Sequence, residues 1–152
     1  MTSTRSHRPK FGRVGRWVAR IGGMDPTSWP GRAVTWGPVV LLMATIFWLS
    51  SQSQPLGMGD RWFDEALGIG GHFVEYGLLA LAWRWALARQ WPDLRRPGFV
   101  ALGLTLLYAF SDEFHQGFVP GRNPDPLDIL IDATGAVTAL WLSRDVDFSP
   151  RG

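Results

Sequence analysis

The sequence predicts an all-α protein, a four-helix transmembrane bundle with short connections and an N-terminal amphipathic interfacial helix. Three observations predict it. The apolar residues fall in four blocks, with the charges kept to the tails and connections, so the mean hydropathy of +0.01 conceals a segregated chain. Nine tryptophans in 152 residues is a heavy load, and Trp favours the membrane–water interface, where its ring is partly buried and its N–H stays wet. With both termini cytoplasmic, thirteen of the fifteen Lys and Arg fall inside: seven in the N-terminal tail, four around the second connection and two in the C-terminal tail. Only Arg61 and Arg122 fall outside, and the reverse orientation would invert the positive-inside ratio.

The three regions follow in order. Residues 1–33 form a basic cytoplasmic tail, with seven cations against the single Asp25. A nucleic-acid arm is one reading of such a tail. A juxtamembrane segment on anionic lipid is the better one, because an apolar run follows it directly; no nucleic-acid partner is expected. Within the tail, Arg13, Arg16 and Arg20 recur at helical spacing opposite Val14, Trp17, Val18 and Ile21, the pattern of an interfacial helix. No apolar run with a small-residue cleavage site follows the basic start promptly, so the first apolar stretch is read as a retained span.

Residues 34–143 hold the four spans. A bilayer core of about 30 Å needs about 20 mostly apolar residues. The first span, 34–51, lies in a stretch with no charge from Ala33 to Gly59 and ends in the polar run Ser50-Ser51-Gln52-Ser53-Gln54. Residues 56–70 form an external connection with a short interfacial helix. The second span, 71–88, carries His72, Glu75 and Arg84, and Arg84 is expected to snorkel to the cytoplasmic headgroups. A basic turn leads to the third span, 98–111, and then to Asp112, Glu113, His115 and Gln116. Three Pro and two Gly within residues 117–126 make a stiff loop. The fourth span, 127–143, carries Asp128 and Asp132, and Gly135 with Ala139 gives a small-xxx-small packing face. Residues 144–152 are a short cytoplasmic tail.

This threading brings the unusual polar residues to one extracytoplasmic face: Ser51, Gln52, His72, Glu75, Tyr76, Asp112, Glu113, His115, Gln116, Arg122, Asp128 and Asp132. His72, Glu75 and Tyr76 share a helical face, as do Asp112, His115 and Gln116 if that helix continues, and Asp128 with Asp132. Glu113 points away from the Asp112 stripe and reads as ordinary surface. Asp125 before Pro126 has the form of an N-cap, which places Asp128 where a carboxylate favours the helix dipole. No cap explains Asp132, and an ionisable group inside a span is functional or paired. Arg122 is read first as a clamp on Asp112, Glu113 or Asp128, with external anion binding as the alternative. His72 with Glu75 reads as a buried pair or as two metal ligands from one helix. His115 reads first as a hydrogen-bonding residue, with a metal ligand or a general base as the alternatives. Ser50, Ser51 and Gln52 read as interhelical hydrogen-bond partners. The chain has no Cys, which excludes disulfides, thiolate metal sites and Cys nucleophiles. Phosphate-loop, dinucleotide and zincin motifs are absent, and no metal or cofactor is assigned.

The stretch Ser-Asp-Glu-Phe-His-Gln-Gly-Phe-Val-Pro-Gly-Arg at 111–122, followed by Asp128, Asp132 and Gly135, closely resembles the signature of VanZ-like membrane proteins. Ser50-Ser51-Gln52 and His72-Phe73-Val74-Glu75-Tyr76 match that family's other two blocks in order, and the resemblance covers about residues 40–143. Two positions depart from the family pattern. Gly70-Gly71 stands where a Lys is common before the His, and Asp132 where an Asn is common. The resemblance implies a four-helix protein of the bacterial cell membrane, with the family's namesake associated with low-level teicoplanin resistance. It implies no particular reaction. The expected partners are the lipid bilayer and a lipid-linked or peptide-linked envelope precursor or a glycopeptide. The expected function is binding of such a component at the external polar cluster. A membrane-embedded enzyme acting on a precursor headgroup, with or without metal assistance, and a scaffold or small transporter are the alternatives.

Overall fold

The computed structural model describes residues 23–53 and 61–148, with the backbone alone over 61–67. The predicted interfacial helix over 11–21 and residues 54–60 lie outside the described residues. Among the described residues there are four α-helices and no strands: α1 (Trp29–Ser50), α2 (Arg61–Gln90), α3 (Pro97–Gln116) and α4 (Pro126–Leu142).

Three of the helices begin at recognisable start signals. Before α1, the Asp25 carboxyl accepts bonds from the Thr27 amide (2.8 Å) and hydroxyl (2.7 Å), which hold it below the usual carboxylate range. Ser28 is the N-cap of α1 and accepts from the Gly31 amide at 3.2 Å. Asp125 is the N-cap of α4, accepting from the Leu127 amide at 2.9 Å, with Pro126 at the first helical position. Pro97 likewise opens α3. The third helix does continue through Gln116, and residues 61–70 are the first turns of α2 instead of a separate interfacial helix.

α2 is the hub of the bundle. It packs most extensively on α4 and also contacts α3 and α1, while α1 touches α3 only lightly. The core between them is small and apolar, built on Val39, Ile46, Tyr76, Leu79 and Ala109. The α2–α4 contact is a backbone-to-backbone approach. A Cβ on Gly135 would overlap the Phe73 carbonyl oxygen, and one on Gly77 would stand 3.2 Å from the Gly135 carbonyl oxygen. Glycine is what lets these helices come so close.

Among the described residues, only α1 is both long and apolar enough to cross a membrane on its own composition. The other three are interrupted or short: α2 carries His72, Glu75, Arg84 and Arg89, α3 carries Asp112 and Glu113, and α4 has 17 residues including Asp128 and Asp132. The outward faces are nonetheless strongly apolar, with Leu41, Trp48, Phe99, Leu107, Leu130 and Trp141 all more than half exposed.

Arginines close the helix ends. Arg84 was expected to reach toward headgroups. Instead its guanidinium donates to the Ser143 carbonyl and, at 2.7, 3.3 and 3.1 Å, to the Ser143 hydroxyl and the carbonyls of Arg144 and Val146. It satisfies the carbonyls of the C-cap residue and of the turn that follows α4. Arg89, almost fully buried, donates to Thr35 Oγ1 and to the Met24 carbonyl.

Candidate functional site

The antiparallel helices carry the end of α1, the upper part of α2, the end of α3 and the start of α4 to one end of the bundle. Three groups of polar side chains form there.

The first joins α2 to α4. His72 Nδ1 lies 3.0 Å from Asp132 Oδ1, and His72 Nε2 lies 3.9 Å from Asp128 Oδ2. Asp132 is 2% exposed, so its carboxylate is orphaned without the imidazole. The close approach at Gly135, one turn beyond Asp132, and at Phe73, next to His72, sets this distance. A carboxylate can only accept, so Nδ1 carries the proton and Nε2 is left facing Asp128. At 3.9 Å that second contact is electrostatic and too long for a hydrogen bond.

The second joins α1 to α3. Ser50 Oγ donates to Asp112 Oδ1 at 2.7 Å, and Gln116 Nε2 donates to Asp112 Oδ2 at 3.1 Å. Asp112 and Gln116 are buried. Each oxygen of a buried carboxylate therefore has a neutral donor, as burial requires.

Glu75 and Tyr76 stand between these two groups. Tyr76 is fully buried, its ring parallel to His72 with centroids 6.3 Å apart. Its hydroxyl is within electrostatic reach of Asp112 and Asp132 but makes no hydrogen bond of good geometry. Glu75 is half-buried, near His72, Asp112 and Asp132, and among the described residues no hydrogen bond or ion pair holds its carboxyl.

The third group lies at the edge. Ser51 Oγ donates to the Phe47 carbonyl at 2.6 Å, and His115 Nε2 lies 3.1 Å from the same oxygen. A hydroxyl has one proton, so His115 Nε2–H is the donor to Ser51. That polarity is the reverse of what a Ser nucleophile and its base require. The His115 ring stacks on Phe47 at 4.4 Å. Gln52 turns back to the Trp48 carbonyl at 3.0 Å and does not join the central group.

Two site residues are placed otherwise than the sequence suggested. Arg122 clamps no carboxylate: it donates to the Gln52 carbonyl (3.1 Å) and the Leu49 carbonyl (3.3 Å), capping the end of α1 from the 117–126 loop. Glu113 is not surface. It is buried and accepts from the Asp125 amide, tying the end of α3 to the start of α4. Glu113→Ala is expected to lower stability by about 1–2 kcal/mol, read by thermal denaturation in detergent, with Glu113→Gln recovering most of it.

Of the residues read as interhelical partners, Ser50 is the one that meets Asp112, from its place one turn after Ile46 on the buried stripe of α1. One participant escaped the sequence reading. Tyr108 donates to the Met43 carbonyl at 2.6 Å and faces Tyr76 at 6.4 Å. The His72–Glu75 pair does not read as two metal ligands: among the described residues no three His, Asp or Glu side chains converge as a metal-binding group.

The cluster is thus rich in acceptors. Glu75, Asp128 and Asp132 gather around one imidazole, while the Arg122 guanidinium is turned to main-chain carbonyls. No curated protein and no solved structure matches the chain. A family model described as VanZ/LLP1 matches residues 35–146, most of the chain and all of the polar cluster just described, and the chain belongs to that family.

Proposed function

We propose that the chain is a multi-pass membrane protein with four spans and both termini cytoplasmic, and that its polar cluster binds an extracytoplasmic envelope component. The component is a lipid-linked or peptide-linked precursor or a glycopeptide of the teicoplanin type. The spanning reading is supported by the broad apolar outer surface, which a water-soluble monomer rarely carries. The charge asymmetry supports the orientation. Residues 34–143 are the functional unit in this reading, with residues 1–33 and 144–152 as cytoplasmic tails.

One observation carries the binding reading. Tyr76 keeps a buried hydroxyl unpartnered, and beside it Glu75 keeps a half-buried carboxyl unpaired. Buried unsatisfied groups are rare and call for a partner. Three carboxyl groups around one imidazole favour a partner that donates, such as an amine or amide. Peptide-bearing precursors and glycopeptides both present such groups.

The test is teicoplanin susceptibility in a sensitive Gram-positive host expressing wild type, Asp132→Ala or an empty vector, with membrane levels matched by immunoblot. Wild type is expected to raise the inhibitory concentration, and Asp132→Ala to return it to the vector level. Unchanged susceptibility with well-inserted wild type would contradict the glycopeptide link.

An enzymatic reading draws on a different observation, the His72–Asp132 pair. A carboxylate that fixes the imidazole tautomer is the arrangement of a general base and its orienting group. In that reading a water activated at His72 Nε2 attacks a precursor headgroup. It requires release of a headgroup product from a lipid-linked precursor by purified protein, abolished in His72→Gln; binding without turnover contradicts it.

A further inference from the structure

At the opposite end of the bundle, a groove of ≈ 500 Å³ runs between the start of α3 and the end of α4. Leu102, Val137 and Leu140 line its apolar part, and Phe99 and Trp141, 71% and 60% exposed, stand along it. Two cations mark its mouth. The Arg96 guanidinium lies over Phe99 at 5.6 Å and that of Arg144 over Trp141 at 4.8 Å. Arg84 also lines the groove, but its donors are committed to the carbonyls at the end of α4. It therefore positions the Arg144 backbone instead of offering a charge. Asp145 lies 3.5 Å from Arg144 Nε in an exposed pair that solvent screens.

We infer that this groove is a binding site for an anionic diacyl phospholipid of the inner leaflet, with the acyl chain along Leu102, Val137 and Leu140 and the phosphate between Arg96 and Arg144. The charge complementarity selects the head. The apolar floor beneath the cations selects a lipid over a soluble phosphate, which would leave that floor wet. Cations above an apolar cleft between spanning helices on the cytoplasmic side are the general form of such sites. The inference rests on the membrane-spanning reading proposed above.

The experiment is native mass spectrometry of the full chain in detergent, titrated with phosphatidylglycerol and phosphatidylcholine of identical acyl chains. Phosphatidylglycerol is expected to be retained at a concentration about 25-fold lower than phosphatidylcholine. Each arginine near an anionic surface contributes about fivefold, so Arg96→Gln with Arg144→Gln should remove that preference. Leu140→Trp, which fills the floor and leaves both cations, should weaken retention as well. The variants are compared at equal melting temperature, or by the single substitutions if the pair is unstable. Equal retention of the two lipids by wild type overturns the site, as does an unaltered preference in the charge variants. Competition by millimolar glycerol phosphate would make it a soluble-phosphate site and overturn the lipid. Carbonate extraction of cell membranes separates the two readings. Release of the chain would overturn the spanning reading, whereas a carbonate-resistant chain without lipid preference overturns only the groove.

Discussion

Gly135→Ala is expected to force α2 and α4 apart and to destabilise the protein strongly. The new Cβ would meet the Phe73 carbonyl oxygen, with the Phe73 carbonyl carbon and Cα just behind it. That neighbour is main chain in the middle of α2, so it cannot swing aside as a flexible side chain would. The helices must separate, and the separation is felt across the most extensive contact in the bundle. Overpacking of a tight core costs about 1–3 kcal/mol, and a clash with rigid backbone belongs at about 3 kcal/mol or beyond. The measurement is thermal denaturation in detergent with Gly103→Ala as control. Nothing lies within 4 Å of a Cβ on Gly103, so that variant should match wild type. Because His72 adjoins Phe73 and Asp132 lies one turn before Gly135, Gly135→Ala should also abolish function without touching a polar side chain.

Asp132 carries the second large effect. Asp132→Ala leaves His72 Nδ1–H with no acceptor and opens a hole beside a buried interface. Breaking a buried, hydrogen-bonded pair by removing one partner costs about 2–3 kcal/mol when the other partner is still reached by some water. Asp132→Asn separates the two roles of the carboxylate. An amide oxygen accepts the same bond from Nδ1 but brings no charge. If Asp132 serves to orient His72, the Asn variant should keep most of the stability and of the function. If its charge holds a cationic ligand group, the Asn variant should stay folded and lose the function. A double-mutant cycle with His72→Ala should return a coupling of about 1–3 kcal/mol for the Ala variant.

The start of α4 was legible from sequence because it is local: Asp125 sits beside the amide it caps, and Pro126 opens the helix within the same turn. Ser28 and Pro97 do the same for α1 and α3, although the sequence reading began those spans at residues 34 and 98. The convergence of His72, Asp112, Asp128 and Asp132 was legible too, since charge asymmetry and span order place those four segments at one end. Which acid meets which donor was not. The choice of Ser50 over Ser51 depends on how far α1 is rotated against α3, a rotation fixed by packing around Ile46 and Ala109. Long side chains were the hardest to read. Arg84, Arg122 and Glu113 all serve open main-chain groups at helix ends. Those groups carry no mark in the sequence, and their positions follow only from how neighbouring helices stop. A carboxylate search thus sends Arg122 to Asp112, whereas the geometry sends it to Leu49 and Gln52.

The central claim is that the His72–Asp132 cluster faces the outside of the cell in a four-span protein. The absence of native Cys allows a direct test by single-cysteine labelling with a membrane-impermeant maleimide on intact cells. Pro120→Cys lies in the exposed 117–126 loop beside the cluster, and Asp93→Cys in the exposed connection at the opposite end. The account predicts that Pro120→Cys is labelled in intact cells and Asp93→Cys only after lysis. Labelling of Asp93→Cys in intact cells with Pro120→Cys protected, or equal labelling of both, would contradict it.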